Sequence, residues 1–125
     1  MKYKTIELEG EELDEAVALA LGWKPIGGYW WEPGTIEKDG GLALPDGRGS
    51  QCMRRVDMYC RDWAHGGPII ESEGINPFSY WHDGRRYWAA NMEGAYPKSV
   101  HGATSPLVAA MREFVAAKMG DEVDL

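Results

Sequence analysis

The sequence contains few of the cysteines and histidines that cross-link small secreted domains or bind metal ions. It has only two cysteines, Cys52 and Cys60, with seven residues between them. One disulfide is compatible with this spacing, but two reduced thiols in a cytoplasmic protein fit it better. A zinc site needs closer cysteines or a second pair of ligands, and the three histidines, His65, His82 and His101, are scattered. We therefore expect neither a metal nor a cofactor.

Long apolar runs are also missing. No run approaches the ~20 residues that a membrane span needs. Residues 1–5 are followed by acids rather than by the apolar stretch of a signal peptide. With 44% hydrophobic and 26% charged residues the chain is typical of a globular protein, and its 125 residues suit one domain over 1–125. We expect a cytoplasmic protein that does not contact a membrane.

The chain has no overall excess of positive charge, since its net charge is -7. The acids cluster towards both ends, as Glu7, Glu9, Glu11, Glu12, Asp14 and Glu15 and again as Asp121, Glu122 and Asp124. Duplex DNA needs a basic face for its phosphates, so it is excluded as a partner of the whole surface. Most of the arginines nevertheless lie between Arg48 and Arg86, which leaves open a local pocket for a small anion.

Two amphipathic helices are predicted, over residues 11–21 and about 106–119. Their apolar stripes consist of Leu13, Ala16, Val17, Ala20 and Leu21 and of Leu107, Ala110, Met111, Phe114 and Val115. Gly22 is placed to end the first helix in a left-handed conformation. Ser105 is a good N-cap for the second helix, and Gly120 ends it.

A β-hairpin is predicted between the helices. Residues 78–82 and 85–90 are rich in aromatic side chains and flank Asp83-Gly84. This dipeptide supplies the positive φ angles that a two-residue type I′ turn requires.

Two further strands are predicted, a buried one over residues 68–71 and an edge strand over residues 5–8. Residues 32–50 predict a long loop and residues 92–104 an irregular segment. The expected fold is α+β, a small and mainly antiparallel sheet with the two amphipathic helices packed on one face.

The first candidate site is the segment 62–68, which we expect to turn into the strand 68–71. It contains Asp62, Trp63, His65, Gly66, Gly67 and Pro68. Asp62 is suited to accept N–H bonds from the residues after it. In one interpretation Trp63 fills the core and the glycine pair only makes the corner. In the other, the glycine amides face a ligand and Trp63 or His65 walls it.

The second candidate feature is the six tryptophans. Trp30 and Trp31 follow Gly27-Gly28, and Trp81 and Trp88 lie on the two hairpin strands. Alternation places Trp81 and Tyr80 on opposite faces, so the hairpin cannot bury all its rings on one side. An exposed ring beside Arg85 or Arg86 suits a nucleobase and its phosphate. A role in the core and in an oligomer interface remains the alternative, and we expect a homo-oligomer.

Support for catalysis is thin, and we predict no catalytic residue. No serine lies in a nucleophile elbow. Asp62, Glu71 and Glu73 would have to gather around His65, whereas Glu71 and Glu73 on one face of a strand are most simply solvated.

Three stretches of the sequence resemble a known family. They are Asp62-Trp63-Ala64 with Gly66-Gly67-Pro68-Ile69-Ile70-Glu71 and Glu73-Gly74-Ile75, the opening Glu7-Leu8 with Leu13-Asp14-Glu15-Ala16-Val17-Ala18, and the tail Ser105-Pro106-Leu107-Val108-Ala109-Ala110-Met111-Arg112 with Gly120-Asp121-Glu122-Val123. In order and spacing they resemble the NinX-like proteins of lambdoid phages and prophages. Arg61 and His65 stand where that family suggests a small hydroxyl residue and a glutamine, and residues 24–60 have no clear counterpart. The resemblance implies a phage accessory protein in a bacterial cytoplasm.

Three functional hypotheses follow. The first is sequestration, without turnover, of a nucleotide-like small molecule such as a host-defence signal. Its predicted binding residues are Arg61, Asp62, Trp63, His65, Gly66, Gly67, Arg85 and Trp88, with Trp30 or Trp31 as further walls. The second is an inhibitor or accessory of host or phage DNA metabolism that engages a basic protein through its acidic ends. The third is a small enzyme that depends on Asp62 or His65.

Overall fold

The computed structural model describes residues 1–33, 52–92 and 102–125. Its elements, in chain order, are β1 (Lys2–Lys4), a 3-10 helix (Thr5–Glu7), α1 (Gly10–Ala20), β2 (Lys24–Ile26), β3 (Tyr29–Trp31), β4 (Cys52–Met53), α2 (Trp63–Glu73), β5 (Ile75–His82), β6 (Arg85–Met92), α3 (Pro106–Met119) and β7 (Glu122–Asp124). The predicted α+β class is confirmed, with every described strand pair antiparallel.

Helix α3 is the centre of the fold. All five residues of its predicted apolar stripe are buried. The helix packs against α1, α2 and the β5–β6 hairpin. The predicted N-cap is confirmed, because the Ser105 hydroxyl accepts hydrogen bonds from the backbone N–H groups of Leu107 (3.2 Å) and Val108 (3.4 Å). Gly120 follows the last turn, as predicted.

Helix α1 packs on α3, and Leu13, Ala16 and Val17 of its predicted apolar stripe are buried. Gly22 follows the helix with a φ of 100°, as its predicted role in ending the helix requires. The segment that precedes α1 is also bonded to α3, because Arg112 Nε on α3 donates a hydrogen bond to the Leu8 carbonyl at 2.7 Å. Burial lowers the pKa of Arg112, and the nearby Glu9 opposes that shift.

The predicted hairpin is confirmed and is longer than predicted, since β5 and β6 pair in unbroken register from Ile75↔Met92 to His82↔Arg85. At its turn Asp83 and Gly84 have φ angles of 50° and 76°, as a type I′ turn demands. The end of the hairpin nearest the core contributes buried residues such as Ile75 and Ala90.

Two smaller sheets complete the described structure. Strands β1 and β7 pair, with the buried Val123 opposite Tyr3. Strands β2, β3 and β4 form a three-stranded sheet in that order. Gly27 and Gly28 connect β2 to β3, and both have positive φ angles.

The predicted edge strand over residues 5–8 is wrong. Residues 5–7 form a single 3-10 turn because Thr5 is tied to the chain after α3. Its backbone N–H donates to the Asp121 carbonyl (2.8 Å), and its hydroxyl donates to the Gly120 carbonyl (2.7 Å). The strand at this edge lies earlier, at Lys2–Lys4.

The predicted turn at residues 62–68 and the strand at residues 68–71 are wrong, because this segment is helix α2. Asp62 is its N-cap, with Oδ1 accepting the Ala64 N–H at 2.9 Å, so the expected local hydrogen bond is present in a different structure. Gly74 ends the helix with a φ of 65°. Glu71 and Glu73 consequently lie on a helix and not on one strand face.

Close packing explains why α2 forms in spite of its glycines and proline. Gly66 is buried, and a Cβ there would clash with the Tyr59 carbonyl oxygen and approach Leu107 Cδ1 to 2.7 Å. The missing side chain therefore serves close approach between α2 and its neighbours, not a positive φ. Pro68 lies inside the helix and has no backbone N–H, so the helix lacks one of its hydrogen-bond donors.

The predicted loop over 32–50 and irregular segment over 92–104 fall mostly outside the described residues. Of the second, Ala103 lies within them and pairs with Trp88 of β6 through two backbone hydrogen bonds of 2.8 and 3.1 Å. Among the described helices, none has the length and apolar character required to cross a bilayer.

Candidate functional site

A cleft of about 360 Å³ opens beside the first half of α1. This volume lies at the lower end of the range for small-molecule sites. The cleft is lined by Glu11, Asp14 and Glu15 of α1, by Trp30 of β3, and by Arg54, Arg55, Val56, Met58 and Arg61 of the segment that leads into α2.

One ion pair fixes the floor of the cleft. The Asp14 carboxylate, 1% exposed, accepts hydrogen bonds at Oδ2 from Arg61 Nε (3.1 Å) and Nη2 (2.8 Å). Its other oxygen accepts the backbone N–H of Cys60 at 2.9 Å. Both oxygens are thus satisfied by groups of the 60–61 segment. The Arg61 guanidinium is held in place while its side chain stays 46% exposed.

The acidic wall follows from the helical repeat. Glu11, Asp14 and Glu15 are spaced i, i+3 and i+4 and therefore share one face of α1. Burial, followed by the charges of Glu12, Glu11 and Asp14, raises the pKa of Glu15. Glu15 consequently binds a proton more readily than an isolated glutamate.

The basic wall is formed by Arg54 and Arg55, which are both exposed at its rim. The guanidinium carbon of Arg54 lies 5.9 Å from the centre of the Tyr29 ring, a cation–π contact. Arg54 and Arg55 therefore present positive charge across from the carboxylates of α1.

Trp30 supplies the aromatic surface of the cleft. It is partly buried and packs against the core, while Val56 and Met58 add apolar area. Because β2, β3 and β4 are hydrogen-bonded in one sheet, the position of Trp30 is fixed relative to the strand that leads into Arg54.

Behind the floor, Tyr59 and Cys60 are buried, and Cys60 is a free thiol. Cys60 Sγ donates to the Gly10 carbonyl at 3.4 Å. Burial, reinforced by Asp14, raises the pKa of Cys60 to about 12. Burial also raises the pKa of Tyr59 to about 12, with Asp57 and Asp14 as lesser causes. Cys60 is therefore a protonated structural thiol and not a nucleophile at neutral pH.

The structure separates the residues that the sequence predicted as a site. Arg61 lines the cleft, whereas Asp62 caps α2. Trp63 is 53% exposed, so it does not fill the core as one of the two interpretations expected. It does not line the cleft either. His65 accepts the Met58 N–H at Nδ1 (3.0 Å), which binds the start of α2 to the preceding segment.

Gly66 and Gly67 lie inside helix α2, a position that neither interpretation of the sequence expected. The Gly66 N–H donates to the Asp62 carbonyl at 3.0 Å within the helix, so it is not offered to a ligand. A Cβ on Gly67 would meet nothing within 4 Å. Arg85 and Trp88 lie on β6, outside the cleft.

The acidic wall of the cleft and its rim arginines were not predicted from the sequence; they are Glu11, Asp14 and Glu15, and Arg54 and Arg55. The i, i+3, i+4 spacing of the carboxylates was visible, as was Gly27-Gly28 as a hairpin turn between Ile26 and Tyr29. What sequence could not show is that α1, β3 and residues 54–61 converge. Within the described residues, no three His, Cys, Asp or Glu side chains are arranged to hold a metal ion.

These features define a small α+β protein with a narrow cleft of mixed charge and one aromatic wall. The chain belongs to the family described as Bacteriophage P22, NinX, whose model matches residues 4–118. This match confirms the resemblance seen in the sequence and runs through residues 24–60, where no counterpart was apparent. No curated protein sequence matches the chain significantly.

Proposed function

We propose that this protein binds a nucleotide-like small molecule in the α1 cleft and retains it without turnover. The observation that carries the proposal is the convergence of Trp30, three arginines and three carboxylates on one cavity of about 360 Å³. A nucleotide offers a matching set of groups, namely an aromatic base, hydrogen-bond donors and a phosphate.

The phosphate is assigned to the arginine side. Arginine binds phosphate oxygens with two parallel N–H groups, which gives both strength and orientation. Arg61 is already oriented by Asp14, so little conformational entropy remains to be lost when it meets a ligand. Arg54 and Arg55 add charge at the rim.

The base and sugar are assigned to Trp30 and the acidic wall. A base stacked on an aromatic ring gains about 1–3 kcal/mol. Glu11 and Glu15 can accept hydrogen bonds from an exocyclic amino group or from ribose hydroxyls. Their negative charge also disfavours ligands with many phosphates, so we expect a nucleotide with one or two phosphates.

Retention without reaction is supported by the lining itself. Among the described lining residues there is no hydroxyl, thiol or imidazole that could attack a phosphate. In a phage protein, such retention would withhold a nucleotide signal from the host defence that responds to it.

The test is calorimetry with a panel of nucleoside monophosphates, diphosphates and cyclic dinucleotides, followed by denaturation and chromatography of the released ligand. We expect binding of at least one probe and its recovery intact. Changing Arg54 and Arg55 together to alanine should weaken that binding at least about tenfold, about 1.4 kcal/mol. Changing Lys2 and Lys4 together to alanine is the matched control, because it also removes two exposed positive charges but none that lines the cleft, and this variant should bind normally. Absence of binding across the panel, or binding that ignores Arg54 and Arg55, would overturn the proposal, and a converted ligand would overturn retention.

A second candidate is binding of a basic protein through the start of α1. Glu7, Glu9 and Glu12 are exposed and do not line the cleft. Association that weakens with salt, and is lost when these three are changed to glutamine, would favour this candidate.

A further inference from the structure

The outer half of the β5–β6 hairpin, residues 79–88, is called the hairpin arm. Whereas Ile75, Ala89 and Ala90 nearer its base are buried, most residues of the arm are exposed. The arm carries four aromatic side chains, Tyr80, Trp81, Tyr87 and Trp88. Tyr80, Tyr87 and Trp88 are half-buried, and Trp88 packs partly against the core, whereas Trp81 is exposed and offers its ring to another molecule.

One face of the arm is a ladder of two tryptophans and an arginine. The register pairs Trp81 with Arg86 and Ser79 with Trp88, which places all four side chains on one face. The guanidinium carbon of Arg86 lies 5.7 Å from the Trp81 ring and 6.0 Å from the Trp88 ring. Trp81 is nevertheless 69% exposed, so much of its surface is available to a partner.

The opposite face of the arm also combines aromatic and basic side chains. Tyr80 and Tyr87 are directly opposite each other, with ring centres 6.0 Å apart and a tilt of 32°. Arg85 and His82 follow on this face at the tip. Gly102 lies against the Tyr87 ring so closely that a Cβ would come within 2.8 Å of its Cγ.

The charge of the arm is opposite to that of the whole protein. Residues 79–88 contain two arginines, Arg85 and Arg86, and one acid, Asp83, whose carboxylate lies 3.3 Å from His82 Nε2, whereas the chain as a whole carries -7. A partner of the arm is therefore expected to be anionic, and the exposed ring of Trp81 suits a partner that also offers a flat apolar group.

We propose that the hairpin arm binds single-stranded nucleic acid, with a base stacked on Trp81 and backbone phosphates on Arg85 and Arg86. Single strands expose both base faces and phosphates, and aromatic rings interleaved with basic residues bind them without sequence preference. Duplexes hide their bases within the stack and are bound more weakly. The arm lies apart from the α1 cleft and shares no residue with its lining, so this proposal stands independently of the proposed function.

The experiment measures fluorescence anisotropy of a labelled oligothymidylate of about twelve nucleotides, a length that exceeds the contact site. The purified protein should bind it, and binding should weaken as salt rises from about 50 to about 200 mM. A labelled duplex of the same length should bind more weakly. Trp81→Ala should weaken single-strand binding at least about fivefold, the effect of losing one stacked base. Arg86→Gln should weaken it as well.

Two controls separate the arm from the rest of the molecule. Trp63→Ala removes a tryptophan of similar exposure, 53%, on a different element and should bind the oligonucleotide normally. The Arg54 and Arg55 double variant, which disables the cleft, should also bind it normally. Circular dichroism verifies that each variant is folded.

Three results would overturn the inference. They are no binding of the single strand, equal binding of the duplex, and Trp81→Ala binding as tightly as the unaltered protein. If Trp81→Ala and Arg86→Gln instead change the molecular mass measured by light scattering, the arm is an interface between copies of the chain.

Discussion

Asp14 on α1 and Arg61 before α2 form an ion pair across 47 positions of sequence, with the carboxylate buried and the guanidinium facing the cleft. The pair joins two segments that share no continuous secondary structure. Asp14 therefore has two roles, since it anchors the Cys60 amide and orients the arginine assigned to the ligand.

Removal of the Asp14 carboxylate should destabilise the protein. Asp14→Ala leaves the Cys60 N–H without its acceptor in a buried place, which costs about 1–3 kcal/mol of unfolding free energy. Urea denaturation measures the loss. Arg61→Ala keeps that acceptor but leaves the buried carboxylate without its counter-ion, so it should also destabilise the protein. An Asp14→Ala variant as stable as the unaltered protein would contradict the role assigned to the carboxylate.

The two glycines of α2 should respond to alanine in opposite directions. Gly67→Ala adds a side chain where there is room and should stabilise the helix by about 0.5–1 kcal/mol. Gly66→Ala forces a Cβ against Tyr59 and Leu107 and should destabilise the protein by about 1–3 kcal/mol. Thermal unfolding of both variants checks this. Destabilisation by Gly67→Ala would instead indicate a positive φ at residue 67, as in the turn that the sequence predicted.

Asp62 should behave as a helix cap and not as a catalytic group. Asp62→Ala removes the acceptor of the Ala64 N–H and should cost about 0.5–2 kcal/mol, whereas Asp62→Asn keeps an acceptor and should cost little. Chemical denaturation distinguishes the two variants. If both lose the same stability, the side chain acts through its charge rather than as a cap.

Stability should fall in alkali because of Tyr59 and Cys60. Their pKa values rise from 10.0 and 9.0 to about 12 in the folded protein, so the unfolded chain loses these protons first. Their contribution is fully present below pH 9.0 and is lost as pH rises towards about 12. From about pH 8 to about pH 10 we expect a loss of about 1–2 kcal/mol. Urea titrations at several pH values measure it, and Cys60→Ala should flatten the dependence. An unchanged slope in that variant would show that Cys60 does not contribute.

Local chemistry explains which elements the sequence predicted correctly. Helices α1 and α3 have unbroken apolar stripes and capping residues such as Ser105. The β5–β6 hairpin has Asp83-Gly84, whose backbone angles leave few alternatives. In each case the information lies within about ten neighbouring residues, and tertiary packing agrees with it.

Helix α2 was missed because local preference and tertiary packing disagree there. Gly66, Gly67 and Pro68 all disfavour a helix, yet Gly66 is what allows α2 to lie close to Tyr59 and Leu107. The pairing of Asp62 with Gly74 as N-cap and C-terminal glycine was the available signal.

The candidate site was less predictable than the fold. Among the residues predicted to bind ligand, only Arg61 lines the cleft, because the other walls come from α1, β3 and the rim arginines. Such convergence depends on how separate elements pack, and no single segment records it.

Since α3 contacts α1, α2 and the hairpin, the order of synthesis has a consequence for folding. When the chain leaves the ribosome, Leu13, Val17 and Ile69 emerge long before residues 106–119 that complete the core around them. We expect a nascent chain arrested before α3 to be digested by protease and one arrested well beyond it to be protected. While residues 1–105 are synthesised, the apolar faces of α1 and α2 therefore stay uncovered, and the core can be completed only after residues 106–119 have emerged.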